Sequence, residues 1–223
     1  GRAPAAVKRS REAPPRTQDK AAAYYPESLG HLDAELAATY NNRGDYFTKA
    51  IENYRLAMKE DPSAAFLSEE LSDLYIQSGR LREAVSDAED ILKQNPNDLN
   101  ARRILARIYA RLIGDNQTNK IDESYLRKAV EQYQKITEKD PKDIESWLML
   151  GRLHKLGQNS IEAEKAYKKA LELEENNEDA LTGLAIVYSD LGDAKQAAEM
   201  LKRASDKNPN GRRLAALAGP YEH

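Results

Sequence analysis

Residues 147–157 read WLMLGRLHKLG and place Trp147, Gly151 and His154 at helical spacing. A tryptophan, a glycine and a histidine so arranged belong either to an active site or to a hydrophobic core. A large aromatic residue at helical spacing is usually buried. Because the same pattern recurs along the chain, we predict that Trp147 and His154 lie in a core between helices and not in a ligand cage.

The recurrence has a period in the thirties. Pro62 and Pro96 are 34 residues apart, and Pro141 and Pro209 are separated by twice that spacing. Between these prolines lie paired segments with apolar or small residues three and four positions apart, divided by a glycine-containing turn. Such segments are typical of amphipathic helices, and a proline ends the second helix of a pair because it lacks an amide hydrogen. The period predicts stacked helical hairpins.

One repeat carries a more specific pattern, formed by Trp147, Leu150, Gly151, Ala163 and Tyr167. These residues resemble the tetratricopeptide repeat, whose pattern is W-x2-L-G-x2-Y, then A-x3-F, then P. His154 stands where the family usually has tyrosine, and Glu175 replaces the closing proline. Four further stretches fit the same register. The resemblance implies an all-α fold, a right-handed superhelical solenoid of antiparallel helix hairpins.

The chain is predicted to divide into a leader, five repeats and the start of a sixth. Residues 1–26 are predicted to form a flexible basic leader rich in Pro and Ala, in which positions 1–20 carry six basic and two acidic side chains. With a total charge of −3, the remaining chain carries −7. The five hairpins span 27–62, 63–96, 97–141, 142–175 and 176–210. Residues 211–223 read as a truncated sixth repeat, whose open end is predicted to allow self-association.

The third repeat is longer than the others because of an insertion near residues 115–125. Four of its residues have the oxygen ligands and spacing of a calcium loop: Asp115, Gln117, Asn119 and Asp122. However, Lys120 replaces the glycine of that loop and Leu126 replaces its final glutamate, so we predict no metal site. Asn116 begins a glycosylation sequon, which matters only on a secretory route. The sequence contains no phosphate-binding glycine loop and no HExxH motif, and we predict neither catalysis nor a cofactor.

The family resemblance implies a concave groove lined by the first helix of each repeat. Residues of those helices outside the packing slots are predicted to bind a partner. They are Phe66, Glu69, Asp73, Arg103, Arg107, Arg111, Leu148, Arg152 and Lys155. The groove is thus predicted to be acidic in the second repeat and basic in the third and fourth. The basic residues suit carboxylates of an extended partner segment, because guanidinium groups bind carboxylates through paired hydrogen bonds. The alternative is an exposed face whose arginines bond to acids of the second repeat.

The leading functional prediction is a non-enzymatic scaffold or adaptor that binds an extended or helical protein segment in this groove. One alternative is an accessory region of a larger enzyme or of a secretion or assembly machine. An RNA-binding repeat protein is disfavoured, because a body of charge −7 repels phosphate. The family's chaperone-tail clamp of paired Lys and Asn is not reproduced, since Glu69, Glu70 and Asp73 stand near those places.

The compartment stays open between the cytoplasm and a bacterial envelope. The chain has no cysteine, which leaves both locations possible. No apolar run approaches the roughly 18 residues that a membrane-spanning helix needs, so no span is predicted.

Overall fold

The structure is a computed structural model that describes residues 30–31, 44–114 and 120–207. Within these ranges it contains nine α-helices and no β-strand. The helices are α1 (Gly44–Glu60), α2 (Ala65–Gln77), α3 (Leu81–Gln94), α4 (Leu99–Leu112), α5 (Glu123–Lys139), α6 (Ile144–Leu156), α7 (Ser160–Leu173), α8 (Glu178–Asp190) and α9 (Ala194–Lys207). The predicted all-α helical-repeat solenoid is confirmed as the fold class. The leader at 1–26, the sixth repeat at 211–223 and self-association through that repeat concern residues outside the described ranges.

The chain divides into two compact units, residues 1–84 (unit 1) and residues 85–223 (unit 2), and α3 crosses the boundary. In unit 1, α1 packs against α2, with Tyr54 and Tyr75 fully buried. The Arg80 guanidinium donates one hydrogen bond to the Gly44 carbonyl oxygen and another to Thr48 Oγ1, both at 2.9 Å. Because Arg80 directly precedes α3, these bonds tie the start of α1 to the turn that follows α2.

Unit 2 contains three consecutive hairpins, α4 with α5, α6 with α7 and α8 with α9. Neighbouring hairpins pack through contacts of α5 with α6, α7 with α8 and α6 with α8. Six helices of this unit begin after an Asp or Asn whose side chain accepts a backbone N–H bond from the first turn: Asp98, Asp122, Asp143, Asn159, Asn177 and Asp193. Such caps satisfy amides that have no partner inside the helix, and they fix where each helix begins.

Three of the turns between consecutive helices place a left-handed residue at the middle of a three-residue connection. This residue is Gly79 after α2 (φ 70°) and Gly192 after α8 (φ 78°), as expected for glycine at a helix C-terminus. After α6 the left-handed residue is Gln158 (φ 60°) and not Gly157. The reason is that α6 ends at Leu156, which makes Gly157 the first turn residue and moves the middle position to Gln158.

The Tyr167 ring of α7 lies between glycines of α6 and α8. A β-carbon added at Gly151 would lie 2.6 Å from this ring, and one added at Gly183 would lie 2.3 Å from it. Real β-carbons essentially never approach another atom within 3.0 Å. Because Tyr167 is buried in the core of α6–α9, the ring fits only where both first helices lack a side chain.

Trp147 and His154 are the two residues for which a ligand cage was the alternative to a core. Trp147 is partly buried against the core of α6–α9, and its indole N–H donates to the Pro141 carbonyl oxygen at 2.8 Å. His154 is half-buried, and this burial lowers the pKa of its imidazole, with Glu162 acting in the opposite direction. Trp147 therefore packs against the edge of the predicted core and is not fully buried within it.

The predicted insertion lies between α4 and α5. Asp122 caps α5, because its side chain accepts hydrogen bonds from two amides of the first turn at 2.9 and 3.2 Å. On the other side, a β-carbon at Gly114 would lie 2.7 Å from the Lys120 carbonyl oxygen, so the two ends of the connection approach closely. Asp122 therefore has a structural role. The other candidate calcium ligands, Asp115, Gln117 and Asn119, lie outside the described residues.

Two tyrosines of unit 2 donate hydrogen bonds to carboxylates on the helix that precedes their own. The Tyr109 hydroxyl of α4 donates to Glu89 of α3 at 3.1 Å, and the Tyr188 hydroxyl of α8 donates to Glu164 of α7 at 3.2 Å. Burial, followed by the hydrogen bond to Glu89, raises the pKa of Tyr109 from 10.0 to about 12. The folded protein therefore favours the protonated phenol.

This pKa predicts how Tyr109 contributes to stability in alkaline solution. A raised folded-state pKa gives stabilisation that is complete below pH 10.0 and lost as the pH rises to about 12. We expect the free energy of unfolding of the wild type to fall more steeply over this interval than that of a Tyr109→Phe variant, which cannot ionise there. Urea unfolding followed by circular dichroism at several pH values measures both slopes. Identical slopes would contradict the prediction.

Candidate functional site

The basic residues predicted to bind a partner lie on the first helices of the hairpins in unit 2. Arg103, Arg107 and Arg111 belong to α4, whereas Arg152 and Lys155 belong to α6. We use the name α4–α6–α8 face for these five side chains together with the polar residues of α8. Arg111 and Arg152 are exposed, and the other three cations are half-buried.

Arg103 ties α4 to the start of α6. Its guanidinium lies 3.2 Å from an Asp140 carboxylate oxygen and 3.4 Å from one of Asp143, and its side chain is only 17% exposed. Asp143 also caps α6 and accepts a bond from the Ser146 hydroxyl at 2.9 Å. Because the same carboxylate serves the cap and the ion pair, Arg103 stabilises the junction between two hairpins.

Arg152 and Lys155 reach from α6 to acidic residues of α8. Arg152 Nη2 lies 3.5 Å from Asp179, and Lys155 Nζ lies 2.8 Å from Asp190. The side chains of the two cations are 47% and 37% exposed. Exposed ion pairs of this kind contribute about 0–1 kcal/mol each, because water and salt screen them. These pairs can therefore open at little cost.

Tyr133 of α5 is buried, and charged groups of this face act on its pKa. Burial raises the pKa of Tyr133 to about 12, while Arg107 and Arg152 lower it and Asp143 and Glu145 raise it. The face carries cations and carboxylates side by side, and the acids come from α6, α8 and the turn before α6.

The sequence analysis did not predict that these acidic residues would contact the cations. It considered acids of the second repeat, whereas Asp140, Asp143, Asp179 and Asp190 all follow the cation that they contact along the chain. The repeat period could have identified one of these ion pairs, because Lys155 and Asp190 are separated by about one repeat along the chain. Binding of a partner by the five cations stays a prediction.

Leu148 is the site residue for which the expectation is wrong. Its side chain is 0% exposed and belongs to the core of α6–α9. The packing of α6 against α7 and α8 covers this position, so Leu148 cannot present a side chain to a partner. Leu156, on the same helix and 42% exposed, is the apolar residue that remains accessible.

The acidic part of the predicted groove belongs to unit 1. Phe66 is 47% exposed on α2, and Glu69 and Asp73 are exposed on the same helix. The neighbouring Glu70 lies 3.2 Å from the His31 imidazole. These residues form an acidic surface with one apolar side chain, and their role in binding stays a prediction.

In the described part of the chain, no three side chains of His, Asp or Glu cluster as a metal site would require. None of the described helices combines the length and the apolar character needed to cross a bilayer.

Two family models match the chain. The model described as tetratricopeptide repeat matches residues 69–117, and the cytochrome c-type biogenesis protein H TPR domain matches residues 134–221. No curated protein matches.

Solved structures of similar fold include three repeat proteins with low sequence identity. A thermophilic TPR protein of Thermus thermophilus is 21% identical, with a TM-score of 0.57 over 89% of this chain and 98% of that one. YrrB, described as a TPR protein with an unusual peptide-binding site, is 19% identical, with a TM-score of 0.59 over 92% and 95%. A tetratricopeptide repeat protein of Parabacteroides merdae is 20% identical, with a TM-score of 0.59 over 86% and 70%. At these identities the similarity shows the fold alone.

The helices, their hairpins and these similarities define a helical-repeat protein with the general architecture of a protein-interaction scaffold, a class that is typically non-catalytic. The chain belongs to the tetratricopeptide repeat family.

Proposed function

We propose that the chain is a non-enzymatic scaffold that binds an extended or helical segment of a partner protein on the α4–α6–α8 face. The observation that supports this most is the position of Arg152 and Lys155. Both are accessible to solvent, and both lie on α6 with the exposed Leu156. Two cations beside an apolar side chain suit a segment that carries carboxylates and at least one apolar residue.

The weakness of the existing ion pairs makes an exchange of partners feasible. Asp179 and Asp190 are themselves 67% and 42% exposed. A carboxylate from a partner that excludes water from the same cations forms a stronger interaction, because the local dielectric constant falls. Partner binding thus replaces screened ion pairs by less screened ones.

A protein or peptide ligand also agrees with what is known of the fold. YrrB, which shares this architecture, is described as having a peptide-binding site. Its low identity carries no residue-level information, so the candidate residues rest on the geometry of this chain.

The proposal predicts that reversing two charges on the face removes partner capture. A double variant, Arg152→Glu with Lys155→Glu, should lower affinity for the physiological partner about tenfold or more, because two attractive contacts become repulsive. The measurement is affinity capture from a lysate of the source cell, followed by titration of the identified partner.

A matched control is available on the second helix of the same hairpin. Lys165 and Lys169 of α7 are exposed and paired with Glu162 and Glu172 of the same helix. Their double replacement by Glu changes the net charge by the same amount and should leave capture intact. Equal loss in both double variants would point to net charge, and capture by the Arg152→Glu/Lys155→Glu variant would place the interaction elsewhere.

A second candidate function is that of an accessory repeat region in an assembly machine. The match of residues 134–221 to the cytochrome c-type biogenesis protein H TPR domain favours it. Deleting the gene in the source organism and staining c-type cytochromes for covalent haem tests this candidate. A normal content of c-type cytochromes would exclude a role in cytochrome c assembly and would leave the proposed scaffold function unaffected.

A further inference from the structure

The acids of α8 hold the two cations of α6 far apart. Arg152 and Lys155 are three residues apart on α6, which is about 4.5 Å along the helix axis. Asp179 and Asp190 are eleven residues apart on α8, which is about 16 Å. Because Arg152 contacts Asp179 and Lys155 contacts Asp190, the two side chains diverge towards opposite ends of α8.

An apolar position lies between the two ion pairs. Asp179, Thr182, Ile186 and Asp190 follow one another at spacings of three and four residues, so they share one stripe of α8. Thr182 and Ile186 are partly exposed on this stripe. The surface therefore presents a cation at each end and an uncharged, partly apolar section in the middle.

This spacing fits an extended chain better than a helix. In an extended segment, residues i, i+2 and i+4 point to the same side, and i and i+4 are about 13 Å apart. The long Arg and Lys side chains can cover the small remaining difference from the separation of the two aspartates. A helical ligand would need three turns to place two carboxylates at this distance, and its cylinder of about 10 Å would bring few side chains to the stripe.

We propose that the α6–α8 surface selects an extended protein segment with the pattern acidic-x-apolar-x-acidic, and that Asp179 and Asp190 compete with it inside the molecule. The two partner carboxylates replace these aspartates on Arg152 and Lys155, and the apolar residue between them contacts Ile186. The inference rests on the proposed function and specifies its ligand.

Intramolecular competition predicts a gain in affinity when the two aspartates lose their charge. Removing the competitors by Asp179→Asn with Asp190→Asn leaves both cations in place and spares the ligand the cost of displacing two ion pairs. Affinity should rise roughly two- to thirtyfold, the range that two exposed pairs represent. The Glu162→Gln/Glu172→Gln variant makes the same change of net charge on α7 and should bind like the wild type.

The probe is a fluorescein-labelled peptide with the order Glu-Ser-Leu-Ser-Glu, capped at both termini and flanked by Gly and Ser. A second peptide of the same composition has the order Glu-Glu-Leu-Ser-Ser. Fluorescence anisotropy at low salt gives the affinity of each peptide for the full chain in its wild-type form and in three double variants, with circular dichroism to verify helicity. We expect the spaced peptide to bind more tightly than the second one, the Asp variant to bind it most tightly, and the Arg152→Glu/Lys155→Glu variant to lose it.

Equal affinity for the two peptides would overturn the inferred pattern, and so would an absence of binding to every variant. Unchanged affinity in the Asp179→Asn/Asp190→Asn variant would overturn the competition. Neither result decides the proposed function, because capture of the physiological partner by the wild type and its loss in the Arg152→Glu/Lys155→Glu variant are measured separately.

Discussion

Replacement of Gly183 by alanine is expected to destabilise unit 2 by about 3 kcal/mol, the upper part of the usual range for overpacking a core. The new β-carbon would lie 2.3, 2.6 and 2.7 Å from three atoms of the Tyr167 ring. Helix propensity alone predicts the opposite sign, because Gly to Ala inside a helix gains about 1 kcal/mol. Urea unfolding followed by circular dichroism distinguishes the two. An alanine variant as stable as the wild type would contradict the packing.

The ring cannot move away from the added methyl group. On its other side, Gly151 of α6 leaves only enough room for a hydrogen, since a β-carbon there would lie 2.6 Å from the ring. A double-mutant cycle tests this cause directly. In a Tyr167→Ala background the obstacle is absent, so Gly183→Ala should become neutral or stabilising. A cost that persists in this background would have to come from another contact.

The hairpins could be predicted from the sequence because their signals are local. Apolar spacing, a glycine-containing turn and a proline after the second helix act within a few residues. Gly183 gave no such signal, because its role depends on the Tyr167 ring, which belongs to the preceding helix. The left-handed residue after α6 could not be predicted from local sequence either. A glycine favours this conformation, but the length of α6 places Gln158, and not Gly157, at the middle of the turn.

The positions of the five cations could be predicted from the sequence, whereas the carboxylates that they contact could not. Helical spacing placed the five basic residues on first helices, and the structure has them there. Which carboxylates they meet depends on how α6 is aligned with α8 and with the turn before α6, and tertiary packing sets that alignment. The separation along the chain between Arg152 and Asp179 is shorter than that between Lys155 and Asp190, so no single offset identifies both pairs.

Because Leu148 is buried and Leu156 is exposed, truncating these two leucines should affect stability very differently. Leu148→Ala should cost about 2–5 kcal/mol of unfolding free energy, because a fully buried leucine leaves a cavity in the core of α6–α9. Leu156→Ala makes the same chemical change on the same helix at a position that is 42% exposed, and should stay within about 0.5 kcal/mol of the wild type. Urea unfolding compares the two variants.

Partner binding should show the reverse order for these two leucines. Leu156 lies one turn after Arg152 on α6, so its truncation removes apolar contact area beside the cations without disturbing the fold. Leu148→Ala, measured well below its unfolding midpoint, keeps the surface unchanged and should capture the partner like the wild type. A Leu148→Ala variant that kept wild-type stability but lost capture would contradict the orientation of α6, and with it the core of α6–α9 and the α4–α6–α8 face. Stability and binding measured on the same pair of variants therefore test whether α6 presents Leu156 and the two cations, and not Leu148, to a partner.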